Sequence, residues 1–327
     1  MSAYVFAIPM RHRFRGITVR EGVLMHGKHG WGEFSPFPEY GIEGGTRWLA
    51  ACREAIDEGW PPPVRDRVPV NVTVPAVDPA RAQEIVRNSG GCRTAKVKVA
   101  EAAQSVDEDV DRVAAVRDAL GPGGAVRIDA NGAWDVEQAV RMIRLLDRSG
   151  LQYVEQPCRT PAEMAAVRRR VDVPLAADET VRLAADPTAV AGLREAADVV
   201  VLKVQPLGGV RRSLRVAESA GLPAVVSSAL ETSVGLAAGL ALAAALPELP
   251  YACGLGTVPL LGDDPVAESL VPVDGEIPVV RPPLDAVRLL RCRSSDPERT
   301  KWWLRRIALT HREMVRAAER ELLEDPA

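Results

Sequence analysis

The stretch AVRIDANGAWDVEQAVRMIRLLDRSGLQYVEQ, residues 125–156, decides the fold class. It contains a short apolar run (125–129), a polar turn, a segment with helical periodicity (135–150) and a second apolar run (151–155). Two short strands joined by one helix are typical of a parallel βα unit. The stretch therefore predicts a parallel sheet whose strands are connected by helices.

The same unit repeats on both sides of this stretch, at a spacing of roughly 25 to 30 residues. Eight units predict a (β/α)8-type barrel, with an open doubly wound sheet as the alternative; no GxGxxG follows the first strand, which disfavours the open sheet. Helix-capping residues support the prediction of the intervening helices: Ser105 or Asp135 at a helix start and Gly121, Gly150 or Gly221 at a helix end. The eight apolar runs are 68–74, 94–99, 125–129, 151–155, 173–178, 198–203, 222–227 and 250–254.

The flanks of the barrel, residues 68–270, differ in pattern from it. Residues 1–67 predict a small N-terminal α+β capping domain, in which the glycine-rich loop 26–36 is expected to act as a lid over the barrel mouth. Residues 271–327 predict a segment that returns to the cap (274–283) and then a long helix. We expect this helix to pack on the body, with an oligomer contact as the alternative, through the residues Trp302, Trp303, Leu304 and Ile307.

Composition excludes several classes of protein. The formal net charge is −3, from 41 Lys and Arg against 44 Asp and Glu, and this balance disfavours a nucleic-acid partner. The longest apolar stretch, 234–246, is too short and too rich in Ala and Gly for a membrane span, and no signal-peptide pattern is present at the N-terminus. The 5 cysteines are scattered without CxxC spacing, which predicts free thiols and a cytoplasmic location.

Charged residues stand at the ends of five successive predicted strands. They are Lys98, Asp129, Glu155, Asp178 and Lys203. Because the carboxyl ends of barrel strands meet on one face, we expect these side chains to converge there. Three carboxylates at short range repel one another and require a counter-ion. Hard oxygen ligands favour Mg²⁺, with Mn²⁺ as a substitute, and zinc is disfavoured because the barrel segments contain no histidine.

These residues lie in motifs that resemble the enolase superfamily, and more narrowly its muconate-lactonising subgroup. The motifs are KVK (96–98), IDANGAW (128–134), VEQP (154–157), AADET (176–180) and LKVQPLGG (202–209). The resemblance covers most of the chain, from about residue 10 to residue 290. It implies that the three acids are the Mg²⁺ ligands, that Lys98 is the general base and that Lys203 is a cation on the opposite face.

The spacing of Lys96 and Lys98 puts both ammonium groups on one face of a strand. In the context of the resemblance, Lys96 disfavours a second positive charge beside it and so favours a neutral amine at Lys98. The alternative is that Lys96 pairs with an acid such as Glu179, and both interpretations are compatible.

The cap motifs RFRGITVREG (13–22) and GWGEFSPFPEYG (30–41) resemble members of the subgroup that act in menaquinone biosynthesis. The resemblance implies a syn dehydration of a succinyl-hydroxycyclohexadiene carboxylate to an aromatic product, in which one lysine serves first as base and then as acid. The alternatives are an N-acylamino acid racemase, a dipeptide epimerase or a muconate cycloisomerase. The sequence CGLGT (253–257) lacks the Asp-x-Asp of the dipeptide epimerases, and a non-catalytic scaffold is disfavoured because unused buried charges are costly.

The predicted partner is a small-molecule carboxylate, and further side chains are candidates for binding it. Arg127 and Asn131 share the strand face of Asp129, so Arg127 is expected either to reach a substrate carboxylate or to form a structural salt bridge. Residues within or directly after the second, seventh and eighth predicted strands complete the predicted substrate-binding set: Lys96, Ser227, Ser228, Gly254 and Thr257.

Overall fold

The N-terminal part of the chain forms a small α+β unit in the computed structural model, which describes residues 3–102 and 104–324, with side chains up to residue 320. Its three antiparallel strands lie in the order β1-β2-β3 and are followed by one helix that ends in a π-helical turn. This is the capping domain that the sequence predicts. The bounds are β1 Ala3–Phe14, β2 Ile17–Gly27, β3 Gly30–Phe34, α1 Gly41–Arg53 and the π-helical turn Glu54–Glu58.

Eight parallel strands, β4 to β11, follow the cap. They lie in the order β10-β9-β8-β7-β6-β5-β4-β11, and a parallel bridge between Ser227 and Gly254 joins the two ends of this order. Each predicted apolar run overlaps one strand, which confirms the barrel and excludes the open sheet. The bounds are β4 Arg67–Val74, β5 Thr94–Lys98, β6 Ala125–Asp129, β7 Leu151–Glu155, β8 Leu175–Ala177, β9 Val199–Leu202, β10 Ala224–Val226 and β11 Cys253–Gly256.

Helices connect the barrel strands and pack on their outer face. The side chains of Ser105 and Asp135 cap two of these helices in capping boxes, as predicted. Gly150 ends the 3₁₀ turn Asp147–Ser149, which continues the helix capped by Asp135, and Gly221 ends the helix Val210–Ala220, both in the predicted left-handed conformation. The bounds are α2 Pro79–Arg87, α3 Val106–Leu120, α4 Val136–Leu146, α5 Pro161–Arg168, α6 Glu179–Arg182, α7 Leu193–Ala196, α8 Val204–Leu207, α9 Val210–Ala220 and α10 Ser233–Ala245.

The apolar helix α10 packs against the barrel, and nearly all of its residues are buried. Within residues 3–102 and 104–324, no helix has the length and apolar character needed to cross a membrane.

The segment after the barrel first pairs with the barrel and not with the cap. Strand β12 (Glu276–Pro278) runs antiparallel to residues 67–69 at the start of β4. These residues precede the part of β4 that pairs with β5 and β11, so their backbone groups need another partner. The predicted return to the cap is seen at Arg281, which donates hydrogen bonds to the carbonyls of His29 and Ala55.

The C-terminal helices, α11 (Ala286–Cys292) and α12 (Pro297–Glu324), pack on the cap. Trp303 is 1% exposed and meets Phe34 edge to face at 6.2 Å, and Ile307 packs against the same cluster. The predicted docking of Trp302 and Leu304 is wrong, because they are 39% and 44% exposed. Residues four positions apart share a helix face, whereas adjacent residues do not. Trp303 and Ile307 therefore pack on the cap, and Trp302 and Leu304 point away from it.

Candidate active site

The five charged strand-end residues lie together at the carboxyl end of the barrel. Lys98, Asp129 and Glu155 are aligned across β5, β6 and β7 by the strand register. Asp178 and Lys203 directly follow β8 and β9. All five side chains are buried. The convergence that the barrel predicts is therefore observed.

Each of the three carboxylates is paired with a lysine. Lys98 Nζ lies 2.6 Å from Asp129 Oδ2, and Lys203 Nζ pairs with Asp178 Oδ2. Lys96 Nζ lies 3.0 Å from both carboxylate oxygens of Glu155 and 3.5 Å from Asp129 Oδ2. One ammonium group thus contacts two carboxylates from neighbouring strands.

The alternative partner proposed for Lys96, Glu179, is engaged elsewhere. Glu179 Oε1 accepts hydrogen bonds from Asn131 Nδ2 at 3.1 Å and from Arg182 Nη2 at 2.5 Å. Lys96 is therefore an inward-facing member of the charge cluster, and its partners are Glu155 and Asp129.

The pKa values of the cluster are set by the burial of its side chains and by the neighbouring positive and negative charges. Burial opposes ionisation of Asp129, but Lys98, Lys96 and Lys203 outweigh it and lower the pKa of Asp129. Burial, together with the neighbouring acids, raises the pKa of Glu155 to about 7. Burial also disfavours the charged form of Lys203 and therefore lowers its pKa, although Asp178 acts against this shift. Glu155 is thus the carboxylate of the three whose ionised form is disfavoured, first by burial and then by the neighbouring acids.

The donor set is suitable for a hard divalent cation, although the side chains are not arranged around one. Within the part of the chain that the structure describes, no three Asp, Glu, His or Cys side chains surround a common point as metal ligands. Instead, the ammonium groups of Lys96 and Lys203 lie against the carboxylates. Three buried carboxylates at the ends of adjacent strands, without nitrogen or sulfur donors among them, match the ligand preference of Mg²⁺. Among the described residues, Glu179 Oε2 beside them is buried and has no hydrogen-bond partner, so the site has unused capacity for positive charge.

A small cavity lies above the charge cluster, and almost all predicted substrate-binding residues line it. Its polar wall combines the lysines with hydroxyl groups from the other side of the barrel, where Thr257 Oγ1 donates to Ser228 Oγ at 2.8 Å. The predicted residues that line this cavity are Lys96, Lys98, Asp129, Asn131, Lys203, Ser227, Ser228, Gly254 and Thr257.

Arg127 does not line this cavity. Its guanidinium is fully buried in the barrel interior, where it donates to Gln152 Oε1, Asn71 Oδ1 and the carbonyl of Ala252. It also lies 4.6 Å from the ring centroid of Tyr153. The structure therefore gives Arg127 neutral partners below the site, and among the described residues it forms no salt bridge.

The cap contributes residues to the site that sequence reasoning missed. The turn between β1 and β2 brings Phe14 and Arg15 to the cavity wall, and the ring centroid of Phe14 lies 5.3 Å from Lys98 Nζ. Arg15 and Tyr40 also line an outer cavity between cap and barrel. A signal was available in the motif RFRGITVREG (13–22), where Gly16 after Arg15 favours a turn.

A second missed residue is Arg182, which links the cap to the charge cluster. Its side chain lies 3.2 Å from Asp178 Oδ1 and donates to the hydroxyl of Tyr40. The spacing of four residues between Asp178 and Arg182, within one helical turn, could have indicated this pair.

The glycine-rich turn of the expected lid loop lies away from the cavity. The backbone N–H of His29 binds the carbonyl of Ile56, and added Cβ atoms on Gly27 and Gly32 would meet Ile56 at 2.8 to 2.9 Å. These glycines are needed for close packing of the hairpin on α1 and its π-helical turn. The end of the loop reaches the barrel instead, where Ser35 N donates to Gln205 Oε1 at 3.4 Å.

Comparison with known families agrees with the barrel and the cap. Residues 79–283 match the family described as enolase C-terminal domain-like, and residues 5–56 match the enolase N-terminal domain-like family. The chain belongs to the enolase superfamily.

Relatives of known name place it more narrowly, and a solved structure shares its fold. The chain is 67% identical to the o-succinylbenzoate synthase of Thermobifida fusca, over 88% of this chain and 90% of that protein. It is 52% identical to the o-succinylbenzoate synthase of Mycobacterium tuberculosis strain H37Rv, over 93% and 92% of the two chains. Within the superfamily, it therefore belongs to the o-succinylbenzoate synthase family. The fold is shared with the muconate lactonizing enzyme of Pseudomonas fluorescens, with a TM-score of 0.76 at 24% identity over 90% of this chain and 98% of that one.

Proposed function

We propose that the chain catalyses the Mg²⁺-dependent syn dehydration of a succinyl-hydroxycyclohexadiene carboxylate to 2-succinylbenzoate, the reaction of an o-succinylbenzoate synthase in menaquinone biosynthesis. The chain is an enzyme of the hydro-lyase class, as its relatives are, and metal dependence is typical of its family. The observation that carries the proposal is the placement of Lys98 at the end of β5 and of Lys203 directly after β9, four strands apart in a barrel of eight. A substrate bound between them would have one amine on each face.

Asp129, Glu155 and Asp178 would hold the metal. When bound, Mg²⁺ supplies Lewis acidity that stabilises the negative charge developing on the substrate carboxylate. Lys98 and Lys203, now paired with Asp129 and Asp178, would yield part of those contacts, which leaves their amines available to the substrate. Mn²⁺ is expected to substitute because it accepts the same oxygen ligands.

Lys98 would remove the proton on the carbon next to the carboxylate. The same ammonium group would then return that proton to the departing hydroxyl, so that the C–O bond breaks and water leaves. Asp129 and Asn131 orient Lys98 through hydrogen bonds of 2.6 Å each to its Nζ. Lys203, held by Asp178, would remain protonated and stabilise the negative charge from the opposite face.

The hydroxyl-lined wall opposite the acids would bind the rest of the substrate. Ser227, Ser228 and Thr257 provide hydroxyl groups there, and Gly254 leaves room, because a Cβ at this position would lie 2.6 Å from Ser227 Oγ. The five cysteines are all free and buried, which supports the proposal of a reducing, cytoplasmic location.

The test is to incubate the purified protein with the cyclohexadiene substrate and Mg²⁺ and to follow aromatisation by ultraviolet absorbance. We expect turnover that EDTA abolishes and that Lys98→Ala removes. The same two lysines could also serve as the base pair of a racemase, so N-acylamino acids are assayed in parallel. Racemisation without dehydration would refute the proposal and favour the racemase.

A further inference from the structure

The loop after β10, residues 227–232, forms one wall of the cavity and is shaped by an unusual backbone. Residues 227–230 line the cavity, and Leu230 has a φ of +64°, which is uncommon for a residue with a side chain. Such a conformation persists only when surrounding contacts determine it. The question is which residues hold this loop in place.

Arg20 of the cap holds the outer side of the loop. Its side chain extends from β2 and is 2% exposed. Arg20 Nε donates to the carbonyl of Leu230 at 2.9 Å, and Nη2 donates to the carbonyl of Ala229 at 3.2 Å. Arg20 does not line the cavity itself. It therefore contacts the wall from behind.

The hydrogen bonds of Arg20 are made to uncharged oxygen atoms. Within the described residues, all of them end on carbonyl or hydroxyl oxygens, which belong to Ala229, Leu230, Ser35 and Glu21. Burial of the guanidinium is costly and lowers the pKa of Arg20, although the nearby carboxylates of Glu33 and Glu231 act against this shift. The planar fork of arginine can span two successive carbonyls, whereas the ammonium group of lysine cannot do so in the same way.

Glu33 of the cap holds the other end of the same loop. Its Oε2 accepts hydrogen bonds from Thr232 N at 3.0 Å, Thr232 Oγ1 at 2.6 Å and Gly235 N at 3.2 Å. Ser35 Oγ connects the two anchors, because it accepts from Arg20 at 2.8 Å and donates to Glu33 Oε1 at 2.6 Å. Gly235 permits this approach, since a Cβ there would lie 2.9 Å from Glu33 Oε2.

We propose that Arg20 is a positioning residue, which sets the shape of the substrate-binding wall formed by residues 227–230 through the carbonyls of Ala229 and Leu230. The effect on catalysis rests on the proposed function, whereas the effect on the loop does not. Because the base and the acids come from other strands, loss of the Arg20 fork weakens substrate binding and leaves the metal site intact. Displacement of a binding wall by about 1 Å is enough to reduce activity about 10²-fold.

The experiment compares Arg20→Lys and Ser35→Ala with the wild type by two readouts. The first is hydrogen–deuterium exchange of peptides that cover residues 227–232, and the second is KM and kcat for the dehydration. We expect faster exchange in this loop and a KM raised about tenfold or more for Arg20→Lys, with a smaller rise for Ser35→Ala. Mg²⁺ affinity, measured by calorimetry, is expected to stay within about twofold of the wild type, because no metal-site residue changes.

The matched control is Arg299→Ala. Arg299 joins α12 to Glu21, the residue next to Arg20, through two hydrogen bonds of 2.7 and 2.6 Å. This variant removes an arginine contact of the same strand without touching the loop, so its loop exchange and its KM should match the wild type. A general loosening of the cap would instead raise exchange and KM in the control as well.

Several outcomes would overturn the proposal. An Arg20→Lys protein with wild-type loop exchange and wild-type KM refutes it, as does a control that shows the same changes as Arg20→Lys. If Arg20→Lys fails to fold, Ser35→Ala decides by the same criteria. Absence of dehydration by the wild type would refute the proposed function alone, and the exchange experiment would still decide the role of Arg20.

Discussion

Replacement of Lys98 by arginine tests whether this side chain acts as a base or only as a positive charge. Lys98 is buried at the cavity wall, with its Nζ 2.6 Å from Asp129 Oδ2 and from Asn131 Oδ1. Arginine preserves the charge, so the contact with Asp129 is retained. A guanidinium does not lose its proton near neutral pH, so the variant has no base at this position.

The expected loss is large because no other amine can take over. A positioned general base contributes about 10² to 10⁴-fold to a rate, which corresponds to about 3 to 5 kcal/mol of transition-state stabilisation. Lys96 is held by both oxygens of Glu155 at 3.0 Å and does not replace Lys98. We therefore expect kcat to fall about 10³-fold or more in Lys98→Arg.

The assay measures the initial rate of aromatisation at saturating substrate and Mg²⁺, together with thermal unfolding. Lys98→Met is the companion variant, because it removes charge and base together. Asp129 keeps Lys96 at 3.5 Å in both variants, so we expect both to fold. Equal losses in the two variants support a base, whereas an arginine variant that retains more than about one tenth of the wild-type kcat would refute the reasoning.

Three further predictions concern the metal, the cap and the barrel interior. Dialysis against EDTA should abolish activity, and added Mg²⁺ should restore it. Glu155→Gln should weaken Mg²⁺ binding about tenfold or more, as measured by calorimetry, and an unchanged Mg²⁺ affinity would exclude Glu155 as a ligand. Glu54→Ala should lower the free energy of unfolding by about 2 kcal/mol in urea titrations, because Glu54 caps α9 at the N–H of Val210, and a change below about 0.5 kcal/mol would contradict that role. Arg127→Met should also destabilise the fold, by about 1 to 3 kcal/mol, because it leaves Asn71 Oδ1 without its donor; a raised KM at unchanged stability would instead place Arg127 in substrate binding.

The barrel and its charged strand ends were predictable because both are local and periodic features. An apolar run of about five residues followed by a capped helix can be identified from a short stretch of sequence. A parallel barrel places the carboxyl ends of its strands on one face, so positions such as Lys98 and Asp129 could be assigned to the site without knowledge of any contact. The placement of Arg127 was not predictable in this way, because alternation along a strand gives the face but not the depth within the barrel.

The sequence by itself therefore determined the class of fold and the set of charged residues that meet at the carboxyl end of the barrel. Only the tertiary structure decided how the cap completes the site. Arg20 binds the carbonyl of Leu230, Glu33 binds the N–H of Thr232 and Glu54 caps Val210, over separations of 210, 199 and 156 residues. In each case the partner is a backbone group, which nearly every residue carries, so side-chain identity does not mark it in advance. These contacts form only once the cap has packed on the barrel and brought distant segments of the chain together.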